Sequence, residues 1–223
     1  MLNRIDAKIL TWFLWGLNLS LMANDNTLSH HNNFTLEAYE SGIEAYVNGT
    51  PSAVTGAVKT WIDKTLSLVP TQARIMEIGS AFGRDAHYIE SKGYLVERTD
   101  ATRGFVDLLE KEGYSARLFS ILTNPFTATY DLVFANAVFL HFTPEELHQV
   151  LDKIHCALSD GGYLSFSVKE GVGVEWTSVK VGNPRYFCYW QADALHSMLE
   201  AHGFTVLEIF SMENFIYIIA KKT

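Results

Sequence analysis

Apolar positions along this chain recur at two spacings, and the order in which the spacings alternate predicts its elements. Residues 36–47 are spaced for a helix, with Tyr39 and Tyr46 seven residues apart on one face. Residues 54–66 predict a second helix, whose Val54, Val58, Trp61, Ile62 and Leu66 form one apolar stripe. A short apolar run at 74–78 breaks into a small-residue turn, and an amphipathic helix over 84–91 ends by Gly93. Strands are expected at 94–99, 116–120 and 130–136, with a helix over 104–112 between the first two. The sharpest helix start is at Thr143, with Pro144 in the first helical position and Glu146 completing a capping box. Its stripe is Leu147, Val150, Leu151, Ile154 and Leu158, and Gly161-Gly162 is expected to stop it before a strand at 163–168. A helix over 192–202 stops at Gly203, and strands at 205–210 and 215–220 close the chain.

Strands alternating with helices imply parallel strands joined by crossovers. Only four residues separate the last two strands, too few for a crossover, so these must form an antiparallel hairpin. The expected fold is α/β: a Rossmann-like, seven-stranded, mostly parallel sheet with a C-terminal antiparallel hairpin and helices on both faces. A standard dehydrogenase domain has no such ending.

With 223 residues the chain has room for one domain with a well-buried core. Its net charge of −8, with 17 Lys and Arg and no dense basic run, argues against a nucleic-acid partner. Cys156 and Cys188 lie far apart without metal-ligand spacing, so neither a disulfide framework nor a metal site is expected, and a cytoplasmic setting is the default. At the N-terminus, Arg4 and Lys8 precede an apolar stretch over 9–22, too short to span a membrane. It fits a signal-peptide core, but Asp6 and a Leu21 three residues ahead of any cleavage at Ala23 argue against export. A peripheral membrane contact, a packing helix, or a leader ahead of a start at Met22 are the other readings. The expected division is 1–33 as this segment with a polar linker, and 34–223 as the folded domain.

The candidate chemistry gathers at Glu77-Ile-Gly-Ser-Ala-Phe-Gly83. Glycine in a turn at a strand's carboxyl end permits positive φ and close approach of a ligand, and open α/β sheets bind nucleotide-like ligands there. The dinucleotide fingerprint G-x-G-x-x-G fails, since Arg84 stands where its third glycine belongs. Glu77 would place an acid near the ligand, which suits a cation better than a phosphate. Asp100 follows the second strand 21 residues after Gly79, where an acid accepts hydrogen bonds from ribose hydroxyls. Its other reading is an N-cap for the helix that follows.

These residues resemble the first motif of the class I S-adenosylmethionine-dependent methyltransferases, E/D-x-G-x-G-x-G, with Ala81 in place of the middle glycine. The resemblance implies S-adenosylmethionine as cofactor, with Gly79, Ala81 and Gly83 against its methionine part. Asp100-Ala101-Thr102 is similar to the family's second motif. Ser120 stands where the family carries an acid beside the adenine, leaving backbone amides and Ile121 to hold the ring, unless Ile121 and Leu122 are simply core. Asn136, Ala137 and Val138 match the fourth-strand motif near the transferable methyl, and the sequence there is not that of the amino-methylating adenine and glutamine enzymes. Lys169-Glu-Gly-Val-Gly173 and Arg185-Tyr-Phe-Cys-Tyr-Trp190 resemble a subset of small bacterial methyltransferases in which the intervening segment lies over the substrate mouth. Tyr39 and Tyr46 resemble the N-terminal helix that folds over the cofactor in that subset.

A sulfonium methyl is already activated, so the protein mainly aligns the acceptor and excludes water. His141 is the first candidate for a general base and Lys169 the second, against a packed histidine that orients the loop before Thr143. Arg185, Tyr186 and Tyr189 are expected to bind the acceptor, Arg185 through a carboxylate or phosphate, against a reading of the aromatics as core anchors. The expected partner is a small-molecule methyl acceptor. Two other readings share much of this pattern: a regulatory protein that binds S-adenosylmethionine or a nucleoside without catalysis, and a nicotinamide-dependent oxidoreductase.

Overall fold

A computed structural model describes residues 28–223. The apolar segment at 9–22 and its leader or membrane readings lie outside the described residues. The strands β1 (Arg74–Ile78), β2 (Leu95–Asp100), β3 (Ala116–Leu118), β4 (Tyr130–Asn136) and β5 (Leu158–Lys169) run parallel. A two-stranded unit, β6 (Val174–Thr177) and β7 (Arg185–Cys188), stands apart from the sheet. β8 (Phe204–Met212) and β9 (Phe215–Lys222) complete it in the order β3-β2-β1-β4-β5-β9-β8, with β9 antiparallel to both neighbours. The expected seven-stranded sheet with its closing hairpin is therefore present. Its turn needs only Glu213 and Asn214, both left-handed (φ 55° and 63°), as a two-residue hairpin requires.

Central strands buried on both faces feed two cores through strict alternation. Met76, Val133, Leu164 and Ile218 face α6 (Pro144–Ala157) and α7 (Ala192–Ala201), packing on Leu147, Leu151, Leu195 and Leu199. Ile75, Leu132, Phe134 and Ile219 face α3 (Gly56–Leu66), where Trp61 stacks on Phe134 at 4.7 Å and donates its indole N–H to the Ile218 carbonyl. The capping box at Thr143 is formed as expected.

Three boundaries move for tertiary reasons. The expected helix over 36–47 is two: α1 (His30–Ser41) and α2 (Ile43–Asn48), broken at Gly42, where a Cβ would meet that of Val181 at 2.6 Å. α1 also starts ahead of residue 34, because Ser29 and Asn32 donate to the Glu146 carboxylate at 2.8 and 2.7 Å. The expected stop at Gly161-Gly162 lies instead inside β5. The helix ends at Ala157, Leu158 pairs with Tyr130, and the glycines sit in a bulge between that pair and Leu132–Tyr163.

The strand ends that matter lie on one edge. β1, β2 and β4 run parallel, so the segments after Ile78, Asp100 and Asn136 emerge side by side. The remaining helices, α4 (Arg84–Glu90) and α5 (Arg103–Lys111), start from the first two of these segments.

Candidate functional site

The turn after β1 is built on three left-handed residues, Gly79 (φ 73°), Ala81 (φ 48°) and Gly83 (φ 80°). At Gly79 a Cβ would lie 2.5 Å from the Val138 side chain, so the turns after β1 and β4 interlock only without one. The amides of Gly79 and Ser80 both donate to the Thr99 carbonyl at 2.9 Å, tying the turn to β2. Ala81 holds this left-handed backbone at a cost of about 1–2 kcal/mol for an alanine.

Asp100 is buried at the end of β2. One carboxylate oxygen accepts the Ala81 amide and the other the Thr102 amide, both at 2.8 Å. Burial raises its pKa, and these same amides hold the rise in check. The N-cap reading of Asp100 does not hold, since Thr102 caps α5 and makes no side-chain cap bond. The carboxylate instead braces the turn and keeps a second lone pair on each oxygen.

Between these strand ends and α1 lies a cleft with a cavity volume of about 100 Å³. It brings together Tyr39, Tyr46, Gly79, Ala81 and Asp100, with Ala101 and Thr102 beside them. Ser120 and Ile121 line it too, as do Asn136, Ala137, Val138 and His141. Asn136 is clamped: its amide donates to Asp85 at 2.7 Å, and its carbonyl accepts from Ser167 at 2.6 Å. The same Ser167 hydroxyl accepts the Ala137 amide and holds Ala137 left-handed (φ 57°). Strain of this kind at a strand end is a common mark of a working site.

Two expected residues do not reach the cleft. Glu77 is buried beneath the turn, with one carboxylate oxygen lacking any partner. Burial, then repulsion from Asp85, pushes its pKa up to about 8. Gly83 starts α4 against Leu109. Conversely, Asn32, Thr35, Phe105, Phe119 and Phe142 line the cleft without having been singled out from sequence. Asn32 and Thr35 precede Tyr39 on one helical face, a signal legible only once α1 is known to begin at His30.

Behind His141 a second cavity of about 460 Å³ opens, sharing Tyr39, Tyr46, Ala137 and His141 with the first. His141 sits in a fixed network. The Tyr186 carbonyl, 2.7 Å away, can only accept, so Nδ1 carries the proton. Nε2 then accepts from the Tyr39 hydroxyl at 2.8 Å, whose oxygen accepts from Arg185 at 2.9 Å. Burial lowers the His141 pKa to about 3. Its lone pair is thus already in use, and the geometry fits a packed ring that positions Tyr39 rather than a general base. NMR of the ring nitrogens is expected to show the Nδ1–H tautomer and no titration between about pH 5 and 8. A midpoint near the ordinary 6.5 would contradict the network.

Lys169, Arg185 and Tyr189 also line the second cavity, Lys169 with its ammonium 4.8 Å from the Phe215 ring. Tyr186 does not. Alternation along β7 sends Arg185 and Phe187 inward and Tyr186 outward, against His31 and Trp176. The acceptor-binding assignment of Tyr186 is corrected accordingly, and Phe187 takes the inward place. Among the described residues no helix is long and apolar enough to cross a membrane.

A family model described as a methyltransferase domain matches residues 53–209. No curated protein matches the sequence. The fold is similar to that of Burkholderia thailandensis 1,6-didemethyltoxoflavin-N1-methyltransferase, solved with 1,6-didemethyltoxoflavin and S-adenosylhomocysteine. That likeness has a TM-score of 0.66 and 19% identity over 88% of this chain and 92% of that one. A DhpI–SAH complex gives a TM-score of 0.71 at 15% identity, over 87% and 98% of the two chains. The CcbJ methyltransferase of Streptomyces caelestis gives 0.68 at 13%, over 83% and 98%.

Proposed function

This chain belongs to the methyltransferase-domain family, and from that premise we propose that it transfers the methyl group of S-adenosylmethionine to a small-molecule acceptor. Membership sets aside the nicotinamide-dependent oxidoreductase reading. The observation that carries the cofactor assignment is Asp100, a buried carboxylate braced by two amides at the lip of a cleft formed by three parallel strand ends. Such a group presents fixed acceptors to paired hydroxyls in a site poor in water.

The residues fit this cofactor in three places. Asp100 would take the ribose hydroxyls, Ile121 and Phe142 offer an apolar slot for the adenine, and Gly79 and Ala81 border the part of the cleft where the methionine portion would lie. When bound, S-adenosylmethionine supplies a methyl already activated on a sulfonium. The chain's own part is then orientation and exclusion of water. Tyr39 and Tyr46 of the N-terminal helices pack edge to face at 5.6 Å and roof the junction of the two cavities. Burial raises the pKa of both phenols, so both stay neutral donors. Asn136 and Ala137 form the floor of that junction, held by Ser167 and Asp85. The solved neighbours described with 1,6-didemethyltoxoflavin, S-adenosylhomocysteine or SAH support a cofactor site with a small acceptor beside it. Unpaired Cys156 and Cys188 support a cytoplasmic setting.

Isothermal titration with S-adenosylhomocysteine tests the cofactor assignment, with saturable one-to-one binding expected. Absence of binding at millimolar ligand would sink it. Incubation with methyl-labelled S-adenosylmethionine and a metabolite extract then reads transfer into the small-molecule fraction.

A further inference from the structure

An acidic chain of net charge −8 lines its second cavity with Lys169, Lys180 and Arg185, against a single carboxylate, Glu175. Glu175 is engaged, accepting the Tyr189 hydroxyl. Arg185 is the unusual member, because it is only 5% exposed yet ion-pairs with no carboxylate among the described residues. One terminal nitrogen donates to the Tyr39 hydroxyl at 2.9 Å and the other to the Val179 carbonyl at 2.5 Å. Its Nε is buried without a partner. A guanidinium has five N–H donors, so most of this fork is unused.

Leaving a buried charge uncompensated is costly, and such groups are normally paired. Here the cost is only partly offset: the guanidinium lies 5.1 Å from the rings of both Tyr39 and Phe187. Strand alternation in β7 aims it inward, and its contacts with Tyr39 and Val179 pre-orient it for a planar or tetrahedral oxyanion. Lys180 points to the same deficit. Desolvation and the neighbouring Arg185, Arg84 and Lys169 lower its pKa to about 8, which an anion between these groups would reverse. The cavity meets the cofactor cleft at Ala137, so a molecule anchored here reaches the junction of the two.

We propose that the methyl acceptor carries an oxyanion, a carboxylate or a phosphoryl group, that docks on Arg185 with Lys169 and Lys180 while Phe187 and Tyr189 flank its apolar part. The proposal deepens the methyltransferase reading and rests on it for the word acceptor. Titrations of benzoate, phenyl phosphate and neutral benzamide into the protein with saturating S-adenosylhomocysteine test it. Benzoate or phenyl phosphate is expected to bind at least about tenfold more tightly than benzamide, and the tighter of the two identifies the oxyanion. In Arg185→Met that preference falls below about twofold. Lys169→Met, which removes an ammonium lying 4.8 Å from the Phe215 ring, lowers the preference about threefold and serves if the buried substitution does not fold.

Equal affinities for benzoate and benzamide, or a preference that survives Arg185→Met, would overturn the proposal. So would an Arg185→Lys protein that loses S-adenosylhomocysteine affinity but keeps the preference, since the guanidinium would then serve the cofactor. Failure of S-adenosylhomocysteine to bind the unaltered protein counts against the methyltransferase reading alone, because the three probes can still be titrated into the protein by themselves.

Discussion

Asp100→Ala is expected to weaken S-adenosylhomocysteine binding about a hundredfold or more while the protein stays folded. The carboxylate is buried, and its two oxygens are oriented by the Ala81 and Thr102 amides, so no rotamer search precedes binding. A hydrogen bond to a charged acceptor contributes about 1.5–3 kcal/mol, and two ribose hydroxyls would be deprived of theirs together. Water entering the space recovers part of this, which sets the lower figure. The turn also loses its tie to β2 at Ala81, while the bonds from Gly79 and Ser80 to Thr99 remain to hold the backbone. Asp100→Asn keeps the volume and one acceptor and should fall between. Calorimetric titration gives the affinities, and thermal unfolding shows whether the fold survives. Affinity within about threefold of the parent would remove Asp100 from the cofactor site.

Where sequence and structure agree, the signal was local. β1 and β4 fall where their apolar runs place them, and the capping box at Thr143 needs only four residues to declare itself. The antiparallel end followed from a connection too short to cross over. The missed elements depend on distant partners. β6 has the burial pattern of an exposed strand and exists because Trp176 and Glu175 pair with Tyr186 and Phe187. α1 lacks a side-chain cap of its own and starts early because Glu146, far along the chain, supplies acceptors. The site shows the same division. Glycine spacing and the acid after β2 were legible as residue types. That Glu77 lies under the turn, that His141 has no free lone pair and that Tyr186 faces away all depend on packing. Once β7 is known to be a strand, simple alternation separates Phe187 from Tyr186.

Glu77→Gln is expected to stabilise the protein at pH 8 and to lose that advantage in acid. The folded protein raises the Glu77 pKa from 4.5 to about 8, by burial first and by Asp85 second. Between those values the unfolded chain has released its proton while the folded protein keeps it, so stability falls as pH rises through this window. Below about pH 4.5 both states are protonated and nothing is lost; at pH 8 and above the full cost applies. Taken alone the shift corresponds to a few kcal/mol, and because Asp85 shares the titration we expect a gain of about 2 kcal/mol for the glutamine protein. In a chain of this size that raises the unfolding midpoint by about 4–8 °C at pH 8. A gain that stays constant or grows as pH falls would contradict the linkage.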